Sequence, residues 1–436
     1  MNKAKRAGRY AFCLICLWTA AAHAGWRDQQ PLPINAEATP GPVNPHANSG
    51  GRRIVRIGNT IIALCADQSG EKTYRSTDNG RTWQEIDSNS GFSGSLITGP
   101  DSQVYHFIIY ADRLSMIRFA AQGAPEAPRT VYQDAALSET ATGEYRAVNA
   151  IVDADGTLYV AAHWGNPDQV YLFASSNQGD SWAGPYQVSS GSGGPWYYAH
   201  LEVTPANRLV CVYDSFGGDQ HSIYFATSAN SGATWTRRLI STELTFNPSL
   251  LTVTDDLLFV FAQSMVDGHT GLVMNASSDG GDTWSGWRLV DPTCVYSDPS
   301  PGLGADGRTI YVAYRSSNGT GITTGSCGDR CRSRLAMSPD LGQTWQFVDD
   351  NYNAERTGTR SQIRYQTWWN YGGPLEWIWL QYEDGGAQGY TYYDVNSDVT
   401  IMSREDVSAP TPQPASSAAG GGSGGGGCFV ETLMTR

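Results

Sequence analysis

Past its first 24 residues this 436-residue chain has no long apolar run, so no later segment is long enough to cross a bilayer as a helix. Charge is sparse as well. Only 16% of the residues are charged, and 29 basic side chains face 42 acidic ones, a net charge of −13. An acidic surface argues against nucleic acid and anionic membranes as partners. It still allows an anion held in a local arginine pocket. Cysteine is scarce too, at eight residues. Cys327-x-x-x-Cys331 lacks a second Cys/His pair at zinc spacing. Asp153-Ala-Asp155-Gly156 lacks the spaced oxygen ligands and distal Glu of an EF-hand loop. Neither a metal nor a cofactor is therefore expected.

Several segments lie outside any packed core. Lys3, Lys5, Arg6 and Arg9 precede a short apolar stretch, Tyr10 to Ala22, and Ala22-His23-Ala24 fits a small-x-small cleavage site. Residues 1–24 therefore read as an export signal, and the mature protein is expected to be secreted, periplasmic or at the cell surface. Cys13 and Cys16 would leave with the signal. Cys65 and Cys211 sit in apolar strand runs and are expected as buried thiols. Cys294, Cys327 and Cys331 allow one disulfide in an oxidising compartment. Residues 25–50 form a lead-in, 51–403 carry the repeats described next, and 404–436 are a Pro/Ser/Gly-rich tail. The tail ends in a segment containing Cys428, which leaves surface attachment and an incidental disordered end both open.

What the chain does have is repetition. One octet recurs five times: Ser76-Thr-Asp78-Asn-Gly80-Arg-Thr82-Trp83, and its counterparts beginning at Ser175, Ser228, Ser277 and Ser338. Asp or Asn bonds back to the backbone, Gly takes a positive φ, and Trp packs beneath the turn. Between the octets, apolar strand, polar turn and apolar strand repeat about every 50 residues, with turns near residues 59, 101, 155, 206, 255, 306 and 372. Such a period predicts an all-β chain, a β-propeller of four-stranded antiparallel blades. The repeated hairpin supplies strands one and two of each blade, and the octet joins strands three and four.

The octets resemble the Asp box, or BNR repeat, of the sialidase superfamily, over roughly residues 50–350. That resemblance implies six blades, whereas the repeats count to seven, which is the favoured number. The octet itself is a structural turn, so function must be sought elsewhere. Hairpin turns and octets share one face of a propeller. Residues just before strand one and just after strand two share the opposite face, around the central channel. Arg52, Asp112, His163, Asn247 and Gln263 belong to that rim, along with aromatic residues suited to stacking on sugar rings.

Sialidase chemistry uses three arginines on a carboxylate, a Tyr nucleophile activated by Glu, and an Asp acid/base. By resemblance, Arg53-Ile54-Val55 is similar to the family's Arg-Ile-Pro motif. Asp67 then corresponds to the acid/base, Glu202 to the activating carboxylate and Tyr365, at the start of blade seven, to the nucleophile. Arg315 takes a clamp position, and Arg146 and Arg364 are further candidates. Trp164, Trp196, Tyr198 and His200 complete the expected ligand contacts. Asp214 stands where the family places a second clamp arginine. Two readings follow: an exported sialidase-like propeller that engages glycans and acts as a glycoside hydrolase, or a non-catalytic propeller binding glycan or protein at the surface. In either case a monomer with a glycan or glycoconjugate partner is expected.

Overall fold

The computed structural model describes residues 32–34, 52–67, 70–110, 112–134, 148–165, 168–189, 196–217, 220–242, 245–266, 269–292, 299–317, 331–348, 357–363, 373–382 and 389–401. Among these residues the strands form seven four-stranded antiparallel sheets. Six of the sheets are sequence-consecutive meanders. Their first strands, Ile54–Ile57, Phe92–Thr98, Val148–Val152, Trp196–Val203, Thr245–Thr252 and Ser300–Leu303, pack side by side in chain order and continue to Thr357–Ile363 of the seventh sheet. This arrangement is a β-propeller with the first strands innermost. Among the described residues, no helix is long and apolar enough to cross a membrane.

The seventh sheet closes differently. Its outermost strand is Leu32–Pro33 from the lead-in, which pairs with Tyr393 and Tyr392 of Gly389–Ile401. The next residue, Ile34, extends the ladder with a 2.7 Å hydrogen bond from its N–H to the Thr391 carbonyl. The boundary expected at residue 51 therefore misses one strand of the sheet. Residues from both ends of the chain build this sheet, so the ring is shut by backbone hydrogen bonding rather than by loops. Blade seven also differs from its expected register. Tyr365 is expected at the start of this blade, whereas its first strand is Thr357–Ile363, with Ile363 as the last residue.

The cores lie between adjacent sheets. Apolar residues of one sheet interleave with those of the next, as in the cluster joining Phe107, Met116, Val148, Val160 and Phe173. Cys65 and Cys211 are buried free thiols, pushed by burial up to about 12 in the case of Cys65.

Each octet ties a third strand to a fourth. In the first, Ser76 Oγ accepts the Gly80 N–H at 2.8 Å, and Asp78 accepts the Thr82 N–H at 2.9 Å and the Thr82 hydroxyl at 2.6 Å. Trp83 Nε1 donates to the Gly80 carbonyl at 3.0 Å. These donors, led by the Thr82 hydroxyl, pull Asp78 down to about 2. Gly80 has φ +82°, and a Cβ there would fall 2.1 Å from the Tyr393 ring, so conformation and space both require glycine.

One octet gives a direct test. Buried Ser228 Oγ accepts the buried Gly232 N–H at 3.0 Å. Ser228→Ala strands that donor and should cost about 1–3 kcal/mol in thermal or urea denaturation. An unchanged melting curve would mean that the octet hydroxyl is dispensable.

Candidate functional site at the channel mouth

The face opposite the octets is shaped by bulges. Four inner strands shift register near their starts, between Phe92 and Ser95, Tyr197 and His200, Phe246 and Ser249, and Thr357 and Arg360. A bulge leaves a residue unpaired and re-aims its neighbours, and bulges gather beside active sites. Here they recur at the mouth end of the innermost strands.

Just below the bulges the inner strands are stitched together. An innermost strand has no further strand on its channel side, so its N–H groups need other acceptors. Leu96 N–H donates to the Arg52 carbonyl at 2.6 Å, and Ala150 N–H to Ser95 Oγ at 3.2 Å. Leu201 N–H reaches Asn149 Oδ1 at 3.3 Å, and Leu250 N–H reaches His200 Nδ1 at 2.8 Å. Ser95, Asn149 and His200 thus hold equivalent places in successive sheets. Because His200 Nδ1 accepts, the ring proton sits on Nε2 and points to Glu202 Oε1 at 3.2 Å. Burial pulls His200 below its ordinary value, the Glu202 carboxylate only partly opposing this, and the neutral tautomer follows.

Two charged clusters lie within this frame. In the first, fully buried Glu71 accepts Arg53 Nη1 at 2.6 Å and the Gly94 N–H at 3.0 Å, and meets His106 Nε2 at 2.7 Å. Burial alone would raise the Glu71 carboxyl, but the Arg53 charge, His106 and the Gly94 N–H outweigh it and hold the group below the usual range. In the second, Arg52 donates through Nη2 to Glu202 Oε1 at 2.6 Å and through Nη1 to the Ala150 carbonyl. Arg52 is 1% exposed and Glu202 8%. Both hydrogen bonds to Glu202 fall on Oε1. A third contact pins the bulge of the fifth sheet: buried Asp214 accepts the Asn247 N–H through Oδ2 at 3.1 Å.

The expected site residues distribute unevenly over this geometry. Glu202 and His200 come together, with Arg52 as the partner the sequence did not assign. Arg53 is buried at 1% exposure and engaged by Glu71, instead of standing open at the rim. Asp67, Trp164 and Arg315 occupy the mouth ends of second strands, opposite Gly70, Gln169 and Ser333, and their side chains lie outside the described residues. Trp196 and Tyr198 fall at the start and bulge of the fourth inner strand, again with side chains outside the description. Arg146, Arg364 and Tyr365 lie wholly outside the described residues, as do Cys294, Cys327 and Cys428. Since Ile363 ends the inner strand, Tyr365 follows that strand instead of opening it, and its placement at the start of blade seven is corrected.

Glu71 and His106 were missed. His106 had a signal: it is the one imidazole in the apolar run Val104-Tyr-His-Phe-Ile-Ile, so a buried partner had to exist. Glu71 had none.

Two polysaccharide lyases among the solved structures share the architecture. An ulvan lyase of polysaccharide lyase family PL25, bound to -[GlcA(1-4)Rha3S]-, aligns with TM-score 0.62 and 10% identity over 84% of this chain and 96% of that one. The polysaccharide lyase Uly1 aligns with TM-score 0.54 and 11% identity over 85% and 99%. A Hadza microbial sialidase, Hz136, aligns with TM-score 0.46 and 14% identity over 76% and 74%. Among curated proteins, none matches this chain in sequence. Residues 126–375, more than half of the chain, match the BNR repeat-like domain, and the chain, a β-propeller, belongs to that family.

Proposed function

We propose that this protein is an exported, carbohydrate-active propeller that takes a glycan at the channel mouth opposite the octets and cleaves it. The observation that carries the reading is the bulging of the inner strands at the mouth end, with buried acid, base and arginine side chains further along the same strands. Ionisable groups cost stability when buried, and such cost concentrates where chemistry is done. The glycan-active names among the similar structures support the substrate class.

Within this reading Asp67 is the acid/base and Glu202 the activating carboxylate. Arg53, Arg146, Arg315 and Arg364 are the candidates for an acidic group, and Trp164, Trp196 and Tyr198 stack on sugar rings. Both of the hydrogen bonds that fix Glu202 fall on Oε1, and no partner for Oε2 is found among the described residues. That leaves one oxygen for a substrate-side group.

One observation favours a second reading, a binding propeller without turnover. Arg53 and Glu202 are both committed to protein partners, and Asp214 stands in place of a clamp arginine. The test is turnover of a fluorogenic α-sialoside and of a uronate-containing polysaccharide, the latter followed by the ultraviolet absorbance of unsaturated product. Asp67→Ala and Arg315→Ala are run beside the wild type. Turnover of either substrate, lost in both variants at unchanged melting temperature, is the expected result. Glycan binding on an array without turnover selects the second reading. Absence of both overturns the proposal.

A further inference from the structure

The third sheet carries a second polar feature at its mouth end, further from the channel than Glu202. Its two outer strands, Asp168–Ser175 and Ala183–Gln187, come together there, and two glutamines join head to tail. Gln187 Nε2 donates to Gln169 Oε1 at 3.0 Å, and Ser189 Oγ donates to the same oxygen at 2.7 Å. Ser189 Oγ also accepts the Val170 N–H at 3.0 Å, so its own proton goes to Gln169 and fixes which end of that amide is the carbonyl. Arg237 of the fourth sheet holds the backbone of this corner, donating to the Val188 carbonyl at 2.7 Å and to the Gln187 carbonyl at 2.8 Å. Gln169 is 8% exposed, yet its NH₂ has no acceptor among the described residues. Gln187 is exposed, and its side-chain carbonyl has no donor among them. A donor and an acceptor are therefore held in place at the two ends of one amide chain. A donor left over on a buried side chain is costly, and an acceptor from outside the protein accounts for it.

The surroundings of the pair are aromatic. Tyr171 lies opposite Gln187 in the strand register and two residues beyond Gln169, so the three share one face of the sheet. That face packs against the second sheet, whose Tyr132 ring lies 5.1 Å from Phe173. Tyr132 and Tyr171 are both half-buried along this seam. Trp164 holds the register position opposite Gln169 on the strand nearer the channel. Sugar hydroxyls match both ends of the amide chain, accepting from the Gln169 NH₂ and donating to the Gln187 carbonyl, while a ring face lies on tyrosine. A carboxylate or sulfate accepts from Gln169 but has no proton for Gln187. The strand of Gln169 stands two strands out from the innermost one, about 10 Å at the usual strand spacing. We propose that Gln169 and Gln187 form an outlying subsite, at the seam between the second and third sheets, for a hydroxyl-bearing sugar residue remote from the one over the channel. The ligand is then an oligo- or polysaccharide engaged along its length, and not a terminal sugar alone. The inference rests on the reading of the mouth as a glycan site and deepens it.

The experiment uses the purified protein on a printed array of neutral, sialylated and uronate-containing glycans, each class running from monosaccharide to long oligosaccharide. Wild-type binding should tighten with chain length. Gln187→Ala removes the terminal acceptor from an exposed position, so its fold is retained. Gln169→Glu keeps an oxygen for Ser189 and Gln187 and removes only the NH₂. Each variant should bind the long chains about five- to tenfold more weakly, the value of one or two neutral hydrogen bonds, and so lose the gain from length. A loss that falls equally on short and long chains would mark the glutamines as structural and overturn the inference. If the wild type binds glycans with no dependence on length, or if Gln187→Ala and Gln169→Glu bind long chains as tightly as it does, the inference falls while the glycan reading stands. If the wild type binds no glycan, both fall.

Discussion

Glu71→Ala should destabilise the protein by about 3–5 kcal/mol, the cost of leaving a buried charge without its partner. The guanidinium of Arg53 is 1% exposed, and its Nη1 lies 2.6 Å from Glu71 Oε2. Alanine would strand that cation, the Gly94 N–H and His106 Nε2 at once. Gly94→Ala approaches the cluster from the other side. A Cβ at Gly94 would lie 1.9 Å from Glu71 Oε1 and 2.6 Å from His106 Nε2, so the pair must shift. Both variants should lower the denaturation midpoint, Glu71→Ala further than Ser228→Ala. A Glu71→Ala protein as stable as the wild type would show that Arg53 finds another anion.

The pH dependence has a definite sign. The folded Glu71 carboxyl is held below its ordinary value, chiefly against burial and by the Arg53 charge. Its contribution is therefore present above the unfolded carboxylate value of about 4.3 and is lost as pH falls through the lower folded value. Wild-type stability should decline more steeply below about pH 4 than that of Glu71→Gln, measured as denaturation midpoint against pH.

Which features could be read from the sequence follows from how local their chemistry is. The octets were legible because every bond in them spans four residues or fewer, as from Ser76 to Gly80 and from Asp78 to Thr82. The closure of the ring was not. Leu32–Pro33 is a two-residue strand whose partner lies about 360 residues away, and nothing in two residues announces it. Blade seven misled for a related reason. Thr357–Ile363 is mostly polar, whereas the aromatic run after it looks more like a strand. At the site, Arg53, His200 and Glu202 could be singled out by type and position. Their partners could not be, because Arg52 meets Glu202 across 150 residues and only the ring brings them together. Asp214 read as a missing arginine. In the structure it has a local task, accepting the Asn247 N–H at a bulge.

Arg52→Met should likewise cost about 3–5 kcal/mol, and Glu202→Leu a similar amount, because each leaves the other's charge buried. The double variant should recover most of the loss. Glu202 occupies the place held by Ile97, Ile151 and Leu251 in neighbouring inner strands, as their pairing with Tyr105, Tyr159 and Phe259 shows beside that of Glu202 with Val210. An apolar side chain is therefore what the fold accepts at this position. Replacing a buried ion pair with apolar residues of similar volume is often neutral or stabilising, so the two single losses should be far from additive. Denaturation of all four proteins gives the coupling energy, and additive losses would mean that Arg52 and Glu202 act through separate partners. Turnover or glycan binding measured on the same proteins answers a different question. A double variant that is stable but inactive would locate the purpose of the pair in the chemistry of the mouth, since the stability of the ring would not then require a carboxylate there. A double variant that is both stable and active would remove Glu202 from the site and leave Asp67 to be explained without it.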